Sequence, residues 1–271
     1  MAQITAAMVK ALREDTGQGM MECKKALTEA GGDAEAAKEL LRKRGLLKAE
    51  KKADRAASEG LIDLVIADDG TSAAMVEISS ETDFTARNEV FQKMVADVAT
   101  LAAEAAPGEV PASEAMTVLV QQAFEKIGEN MAYVRGVKLT GAQVGAYKHH
   151  NNKVGVLVAL DGKLDATVLS ELCMHIAFHS PMGISADDIP ADLIEREKSR
   201  AKAQAMEQGK NESIAEKMVT GKLRKFCQQN CLLEQPFIKD EDRTVKQVLG
   251  DATVTAFVRY AVGEVAAAEP Q

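Results

Sequence analysis

The chain has 271 residues, 46% of them hydrophobic and 27% charged, which is typical of a folded globular protein and excludes a disordered one. Its length predicts about two domains, and its net charge of −8 argues against broad electrostatic attraction to nucleic acid or to anionic membranes. Because no apolar run approaches the ~20 residues that span a bilayer and no signal-peptide pattern opens the sequence, we predict a cytoplasmic protein without membrane contact.

The first 55 residues show the pattern of a small helical domain. Ile4, Met8 and Leu12 lie four residues apart and give the first helix one apolar face. Pairs of glycines separate this helix from a second and a third, and Gly45 is expected beyond the end of the third helix. We predict a three-helix domain and linker at 1–55, similar in size and helix number to ubiquitin-associated domains.

From residue 56 onward, the apolar pattern changes to the short runs typical of β-strands, with helical stripes between them. Strands are predicted at 61–66, 73–78, 133–139, 144–148, 154–160 and 254–262. Helices are predicted at 116–127 and 166–179, and around an apolar stripe that runs from Phe91 to Leu101. The predicted fold class is α+β, with a core of two subdomains with antiparallel sheets at 56–140 and 141–265 and a short tail at 266–271.

An insertion in the second subdomain, at about 187–230, has a polar and purely helical pattern. Sparse apolar seams lie on both sides of a glycine turn at 209–211. This pattern predicts two helices that pack side by side as a projecting antiparallel hairpin, a coiled coil.

Several kinds of chemistry lack their motifs. Neither a P-loop motif nor a Gly-x-Gly-x-x-Gly motif is present, so we do not expect the chain to bind nucleotide by itself. The four cysteines lack Cys-x-x-Cys spacing, which suggests neither a zinc ribbon nor a disulfide framework. His175 and His179 share one helical face, but the local motif has no acidic ligand, which leaves a metal-dependent hydrolase as a minor alternative. We predict no catalytic residue, no metal and no cofactor.

Basic residues are concentrated towards the end of the first domain. Residues 1–55 contain 12 Lys or Arg and 9 Asp or Glu, although the whole chain is acidic. The segment 42–55 and the helical hairpin therefore offer an alternative function, that of an RNA-binding or ribosome-associated protein. Because no aromatic residues are interleaved in this segment to stack on bases, we favour a solvated helix end and linker, without direct binding to nucleic acid.

The most informative position is the corner at residues 82–85, where a strand pattern gives way to a helix pattern. Asp83 and Phe84 would lie there side by side, in a chain with only 7 Phe and no Trp. The plainest interpretation of the residues alone is structural: Asp83 caps the helix and Phe84 is its first core residue, on the same stripe as Phe91.

Three separated segments nevertheless resemble one family, bacterial translation elongation factor Ts. They are residues 16–27 (Thr-Gly-Gln-Gly-Met-Met-Glu-Cys-Lys-Lys-Ala-Leu), the Thr-Asp-Phe corner at 82–84, and residues 214–226 with Gln-Pro-Phe at 235–237. The similarity extends over nearly the whole chain in the family's order. Thr85 stands where the family usually has Val, and we expect this threonine to make that edge of the corner more polar.

The resemblance implies a guanine-nucleotide exchange factor that binds elongation factor Tu carrying GDP and promotes GDP release, after which GTP binds. It assigns the dislocation of the partner's Mg²⁺ to the corner. Phe84 would wedge between partner helices and Asp83 would disturb the surroundings of the ion, while Thr82 and Thr85 hold the corner's shape. GDP, GTP and Mg²⁺ would be bound by the partner.

Five further residues are predicted to bind the partner: Leu12, Met20, Met21, Met174 and His175. Met20 and Met21 lie in a glycine-flanked loop and could form an adaptable apolar pocket with Leu12, for which a core position is an equal alternative. The resemblance places Met174 and His175 at the phosphate-loop side of the partner. The oligomeric state is left open.

Overall fold

The computed structural model of the chain describes residues 4–50, 52, 55–208 and 212–264. The α-helices in these ranges are α1 (Ala6–Thr16), α2 (Met20–Glu29), α3 (Ala34–Glu50), α4 (Asp83–Ala86), α5 (Glu89–Glu104), α6 (Glu114–Ile127), α7 (Ala166–His179), α8 (Ala191–Glu207), α9 (Glu212–Asn230) and α10 (Val245–Leu249). The β-strands are β1 (Glu59–Ile66), β2 (Ser72–Ser80), β3 (Gly108–Glu109), β4 (Met131–Thr140), β5 (Gln143–Lys148), β6 (Val154–Asp161), β7 (Pro236–Phe237), β8 (Asp240–Thr244) and β9 (Thr253–Ala261). The fold is α+β, as predicted. None of the helices in these ranges combines the length and the apolar character needed to cross a membrane.

The helices α1, α2 and α3 form a module with an apolar core of its own. Thr5 caps α1, because its side chain accepts a hydrogen bond from the backbone N–H of Met8. The prediction that α3 ends before Gly45 is wrong, since the helix continues to Glu50. A Cβ atom at Gly45 would lie 2.9 Å from Oε1 of Glu125, so the glycine allows α3 to pass close to α6.

Two antiparallel sheets form the core. The first has the strand order β1-β2-β4-β3 and the second has the order β5-β6-β9, while β7 and β8 form a separate pair. The register places Leu61 opposite Ile78 in the first sheet and Val156 opposite Arg259 in the second. The six strands that the sequence predicted are all present, and their ends lie within two residues of the predicted ones.

The two sheets pack face to face, and helices cover their outer faces. Ile62, Met75 and Leu157 meet in the apolar layer between the sheets. The outer face of the first sheet packs on α5 and α6, where Phe91 is fully buried, and the outer face of the second packs on α7. Successive residues of a strand point to opposite sides, so each strand contributes to both layers.

A buried ion pair joins the two sheets at one end. Glu77 in β2 is only 1% exposed; one of its oxygens accepts a hydrogen bond from Nε of Arg135 at 2.6 Å and the other from the backbone N–H of Gly263 at 3.1 Å. Arg135 in turn donates to the carbonyl of Ala261 at 3.2 Å, and its guanidinium lies 4.0 Å from the ring centroid of Tyr260. The pair therefore ties the end of β9 to β2 and β4, where the register between those two strands shifts.

The helices α8 and α9 pack against each other as a hairpin inserted between α7 and β7. Their contact buries Ala201, Ala205 and Ala215. The hairpin leaves and re-enters the core at one place, because Gly183 and Cys231 form an isolated β-bridge. The coiled-coil geometry of this hairpin and the likeness of the first module to ubiquitin-associated domains stay predictions.

We expect Gly155→Ala to destabilise the protein. A Cβ atom at Gly155 would lie 2.5 Å from Sδ of Met75 and 2.7 Å from Cγ2 of Ile62, both of which are buried between the sheets. Because overpacking of a core typically costs about 1–3 kcal/mol, urea denaturation should show a loss of that order in the free energy of unfolding. The control is Gly221→Ala in α9, where the new Cβ would have no described atom within 4 Å apart from its chain neighbours and the backbone of its own helix, and where alanine favours the helix. Equal stability of the two variants would contradict the close packing of the sheets.

Candidate functional site

The corner between β2 and α4 presents one large apolar side chain to solvent. Phe84 is 78% exposed, whereas the next two side chains of α4, those of Thr85 and Ala86, are buried. The structural interpretation of Phe84 as a core residue is therefore wrong. Asp83 is not the cap either, because Thr82 caps α4 by accepting a hydrogen bond from the backbone N–H of Thr85 at 3.3 Å.

Hydrogen bonds from neighbouring segments fix the shape of this corner. Oγ1 of Thr82 donates to the carboxylate of Glu129, with distances of 3.0 and 3.2 Å to its two oxygens. Oγ of Ser80 donates to the carbonyl of Thr82 at 3.1 Å. Because Thr85 points into the interior, the expectation that it makes the exposed edge more polar is wrong. The backbone under Phe84 is thus held independently of Phe84 itself.

A crevice of about 280 Å³ lies beside the corner, between α4 and the turn that joins β5 to β6. Asp83 and Arg87 line one side of it and form an exposed ion pair at 3.0 Å. His150 and Lys153 line the other side. The sequence did not identify His150 and Lys153, since they lie far from the corner in the chain. The Asn-Asn turn at 151–152 was the available signal that the chain reverses there.

The start of α2 presents a second apolar surface. Met20 is 56% exposed and Met21 is 76% exposed, so both side chains are available to a partner. Leu12, by contrast, is buried in the core of the three-helix module. The prediction that Leu12 lines an exposed pocket is wrong, because the small module uses this side chain for its own packing.

His175 is a buried structural residue. Its Nδ1 accepts a hydrogen bond from the backbone N–H of Ile238 at 3.2 Å, so its Nε2 carries the proton and donates to Oε1 of Gln235 at 2.9 Å. Met174 beside it is half-buried. With no exposed surface, His175 does not fit the predicted direct contact with a partner.

The environment of His175 also bears on the metal alternative. Burial lowers the pKa of His175 to about 4 and lowers the pKa of the neighbouring His179 as well. Both ring nitrogens of His175 are engaged by protein groups, which leaves none for a metal ion. In the described ranges, no group of three or more His, Cys, Asp or Glu residues is placed to hold a metal.

The basic segment 42–55 forms ion pairs where the structure describes it. Arg42 donates to Glu39 at 2.8 Å, and Arg55 donates to Glu81 at 3.4 Å. This pairing gives the RNA-binding alternative no specific support. Outside the described part of the chain lie residues 51, 53 and 54 of this segment, the side chain of Lys48, the turn at 209–211 and the tail at 266–271.

Comparison with known proteins identifies relatives over nearly the whole chain. Residues 81–264 match the family model described as "Elongation factor TS". The chain is 45% identical to elongation factor Ts of Thioalkalivibrio sulfidiphilus, over 96% of this chain and 92% of that protein. It is 46% identical to elongation factor Ts of Hyphomonas neptunium, over 97% of this chain and 93% of the relative. For elongation factor Ts of Alkalilimnicola ehrlichii the identity is 45%, over 96% and 92% of the two chains.

His175 should make the stability of the protein depend on pH. Its pKa is about 4 in the folded state and near 6.5 in the unfolded state, so the unfolded chain takes up a proton as the pH falls through this window while the folded chain does not. The free energy of unfolding should therefore decrease from about pH 6.5 to about pH 4. Thermal unfolding at several pH values checks this expectation for the wild type and for His175→Asn, which should lose that part of the dependence. His150→Asn, at an exposed position, should retain it; a wild-type profile that matches His175→Asn would contradict the assignment.

Proposed function

This chain belongs to the elongation factor Ts family, and we propose that it acts as a guanine-nucleotide exchange factor for elongation factor Tu during translation elongation. The observation that carries the proposal is the exposure of Phe84 on a corner whose backbone is fixed by buried and hydrogen-bonded neighbours. A rigid corner with one projecting aromatic ring is suited to insertion between two elements of another protein. The chain would act by binding and would break or form no covalent bond.

Insertion of Phe84 supplies the free energy for the exchange step. Full burial of a phenylalanine side chain contributes about 1.5–3 kcal/mol relative to its exposed state. In a P-loop GTPase, Mg²⁺ bridges the nucleotide phosphates, so a displacement of the elements that hold the ion weakens the binding of GDP. A gain of about 1.4 kcal/mol corresponds to a tenfold change in an equilibrium, so this one side chain can shift nucleotide affinity substantially.

Asp83 is proposed to act on the magnesium surroundings. Its carboxylate is adjacent to Phe84 and is paired only at the surface, with Arg87 at 3.0 Å. Exposed ion pairs contribute about 0–1 kcal/mol, so the pair can separate in a complex at little cost. A carboxylate brought close to a bound cation changes the electrostatics of the site that holds it.

The surface formed by Met20 and Met21 is proposed to bind the same partner at a second place. Methionine side chains are flexible and polarizable, which suits an adaptable contact with an apolar side chain. Both residues lie on the three-helix module and not on the subdomain that carries Phe84. The exchange factor would therefore hold elongation factor Tu at two separate points. Since factor and nucleotide weaken each other's binding, GTP would displace the factor by the same coupling.

Phe84→Ala should remove most of the exchange activity and leave the fold intact. Because the ring is exposed, its loss should change the melting temperature little. The control is Phe91→Ala, which truncates a fully buried ring and should cost about 3–5 kcal/mol. The measurements are the release of fluorescent GDP from elongation factor Tu and thermal unfolding of each variant. A Phe84→Ala variant that exchanges GDP as fast as the wild type would refute the proposed function of the corner.

The magnesium step predicts a dependence on the ion. Chelation of Mg²⁺ should speed the spontaneous release of GDP and reduce the acceleration by the factor, and Asp83→Asn should lose activity chiefly when Mg²⁺ is present. Stopped-flow release of fluorescent GDP, with and without chelator, measures both effects. Asp97→Asn is the matched control. Like Asp83, Asp97 has an exposed carboxylate that forms an ion pair with a basic residue four positions away in the chain, in this case Lys93. An acceleration by the wild type that is equally large in both conditions would exclude the magnesium mechanism.

A further inference from the structure

The three-helix module is attached to the core by a few contacts near the end of α6. Nε2 of Gln18 donates to the backbone carbonyl of Glu125 at 2.7 Å, and Nζ of Lys52 donates to the carbonyl of Gly128. Ala49 of α3 packs on the core of the first subdomain, but the buried cluster of the module is separate from that core. Grooves of about 550 and 650 Å³ flank the contact. The polar contacts therefore act together with the close approach of α3 to α6 at Gly45 in setting the orientation of the module.

The residues that follow α6 hold the corner of the proposed site. Glu129 accepts the hydrogen bond from Oγ1 of Thr82, and the backbone N–H of Asn130 donates to Oε1 of Glu81 at 2.6 Å. Nδ2 of Asn130 donates to the carbonyl of Arg55 at 2.8 Å, which ties the same residue to the segment that leaves the module. One short stretch of chain thus contacts both the module and the corner.

We propose that residues 125–130, the last turn of α6 and the residues after it, here called the bridging segment, hold the Met20–Met21 surface and Phe84 in a fixed relative position, so that both engage one partner molecule at the same time. This inference rests on the proposed function. Gln18 is a positioning residue in it, because Gln18 donates a hydrogen bond to the bridging segment and lies only two residues before Met20 in the chain.

A fixed spacing matters because the two contacts act as linked binding sites. Once one surface is bound, the other meets the partner at an effective concentration that depends on how well their spacing matches the partner. A module that swings freely spreads over many orientations and lowers that concentration. Loss of the bridge should therefore weaken binding, while the rate of GDP release from the saturated complex, which depends on the corner, stays the same.

The test is Gln18→Ala in the full chain, with release of fluorescent GDP from elongation factor Tu measured over a range of factor concentrations. We expect the half-saturating concentration to rise about three- to tenfold, the size typical of one lost hydrogen bond, with the release rate at saturation unchanged. Gln122→Ala replaces an exposed glutamine of α6 and should leave both quantities unchanged. An unchanged half-saturating concentration in Gln18→Ala would overturn the inference.

A double-mutant comparison separates positioning from a direct contact of Gln18 with the partner. In a variant with Met20→Ser and Met21→Ser, the second contact is already lost, so Gln18→Ala should have no further effect on half-saturation. If Gln18→Ala weakens binding by the same factor in that background, Gln18 acts by itself and the inference is wrong. If the wild type fails to accelerate GDP release at all, the proposed function fails instead.

A distance measurement tests the bridge without the partner. Spin labels are attached to Lys10→Cys on the module and Lys93→Cys on α5, both at exposed positions, and report the distance between the module and the first subdomain. The half-buried Cys227 is first replaced by serine so that it is not labelled. Gln18→Ala should broaden the distribution of distances. A distribution as narrow as that of the parent chain would overturn the proposal whatever the exchange assay shows.

Discussion

The arrangement of the core depends on one interaction, the buried ion pair between Glu77 and Arg135. Two charged side chains removed from water are stable only when their hydrogen bonds are well satisfied, and loss of one partner leaves an unpaired buried charge. Glu77 meets this condition by using both of its oxygens, one with Arg135 and the other with the backbone N–H of Gly263. These contacts join the end of the last strand to the strand that leads into the corner. The position of Phe84 therefore depends on a contact between residues far apart in sequence.

In the corner, the residues that stabilise the fold are different from the residue that is proposed to act on the partner. Thr82, Thr85 and Ala86 satisfy hydrogen bonds or fill the interior, while Phe84 contributes little to the folded state because it stays in water. A mutation of the first group would change the shape of the site and the stability together, whereas a mutation of Phe84 changes the surface alone. This separation explains how a solvent-exposed aromatic ring can be positioned accurately without packing against the rest of the protein.

The sequence predicted the long elements well and the short strands poorly. The apolar period placed α7 at the observed residues, and the six predicted strands follow the alternation that two-sided burial imposes. Residues 240–244 carry three acidic side chains and an arginine, so nothing in their pattern indicated β8. In α3, Gly45 suggested a helix end, but the close approach of α6 favours a glycine inside the helix. Tertiary packing outweighed the local signal there.

In the candidate site, too, some residues could be predicted from the sequence and others could not. The exposure of Met20 and Met21 is consistent with the glycines that flank them. Leu12 and His175 are buried, and their positions on a helical face did not tell us from the sequence whether they are core or surface residues. The crevice residues His150 and Lys153 reach the corner only because the turn before β6 docks on β1, through a hydrogen bond from the N–H of Ile62 to the carbonyl of Asn152. Such a contact has no local pattern in the sequence.

The single attachment point of the helical hairpin makes its length independent of the core. The backbone N–H of Met182 donates to the carbonyl of Asn230 at 2.8 Å, and the N–H of Leu232 donates to the carbonyl of Gly183 at 2.9 Å, so the two ends of the insertion lie side by side. Turns added to or removed from both helices would leave these bonds and the sheets in place. The entropy of closing a loop also grows only slowly with its length. The hairpin is therefore the part of this architecture whose reach natural selection can lengthen or shorten while the rest of the molecule stays unchanged.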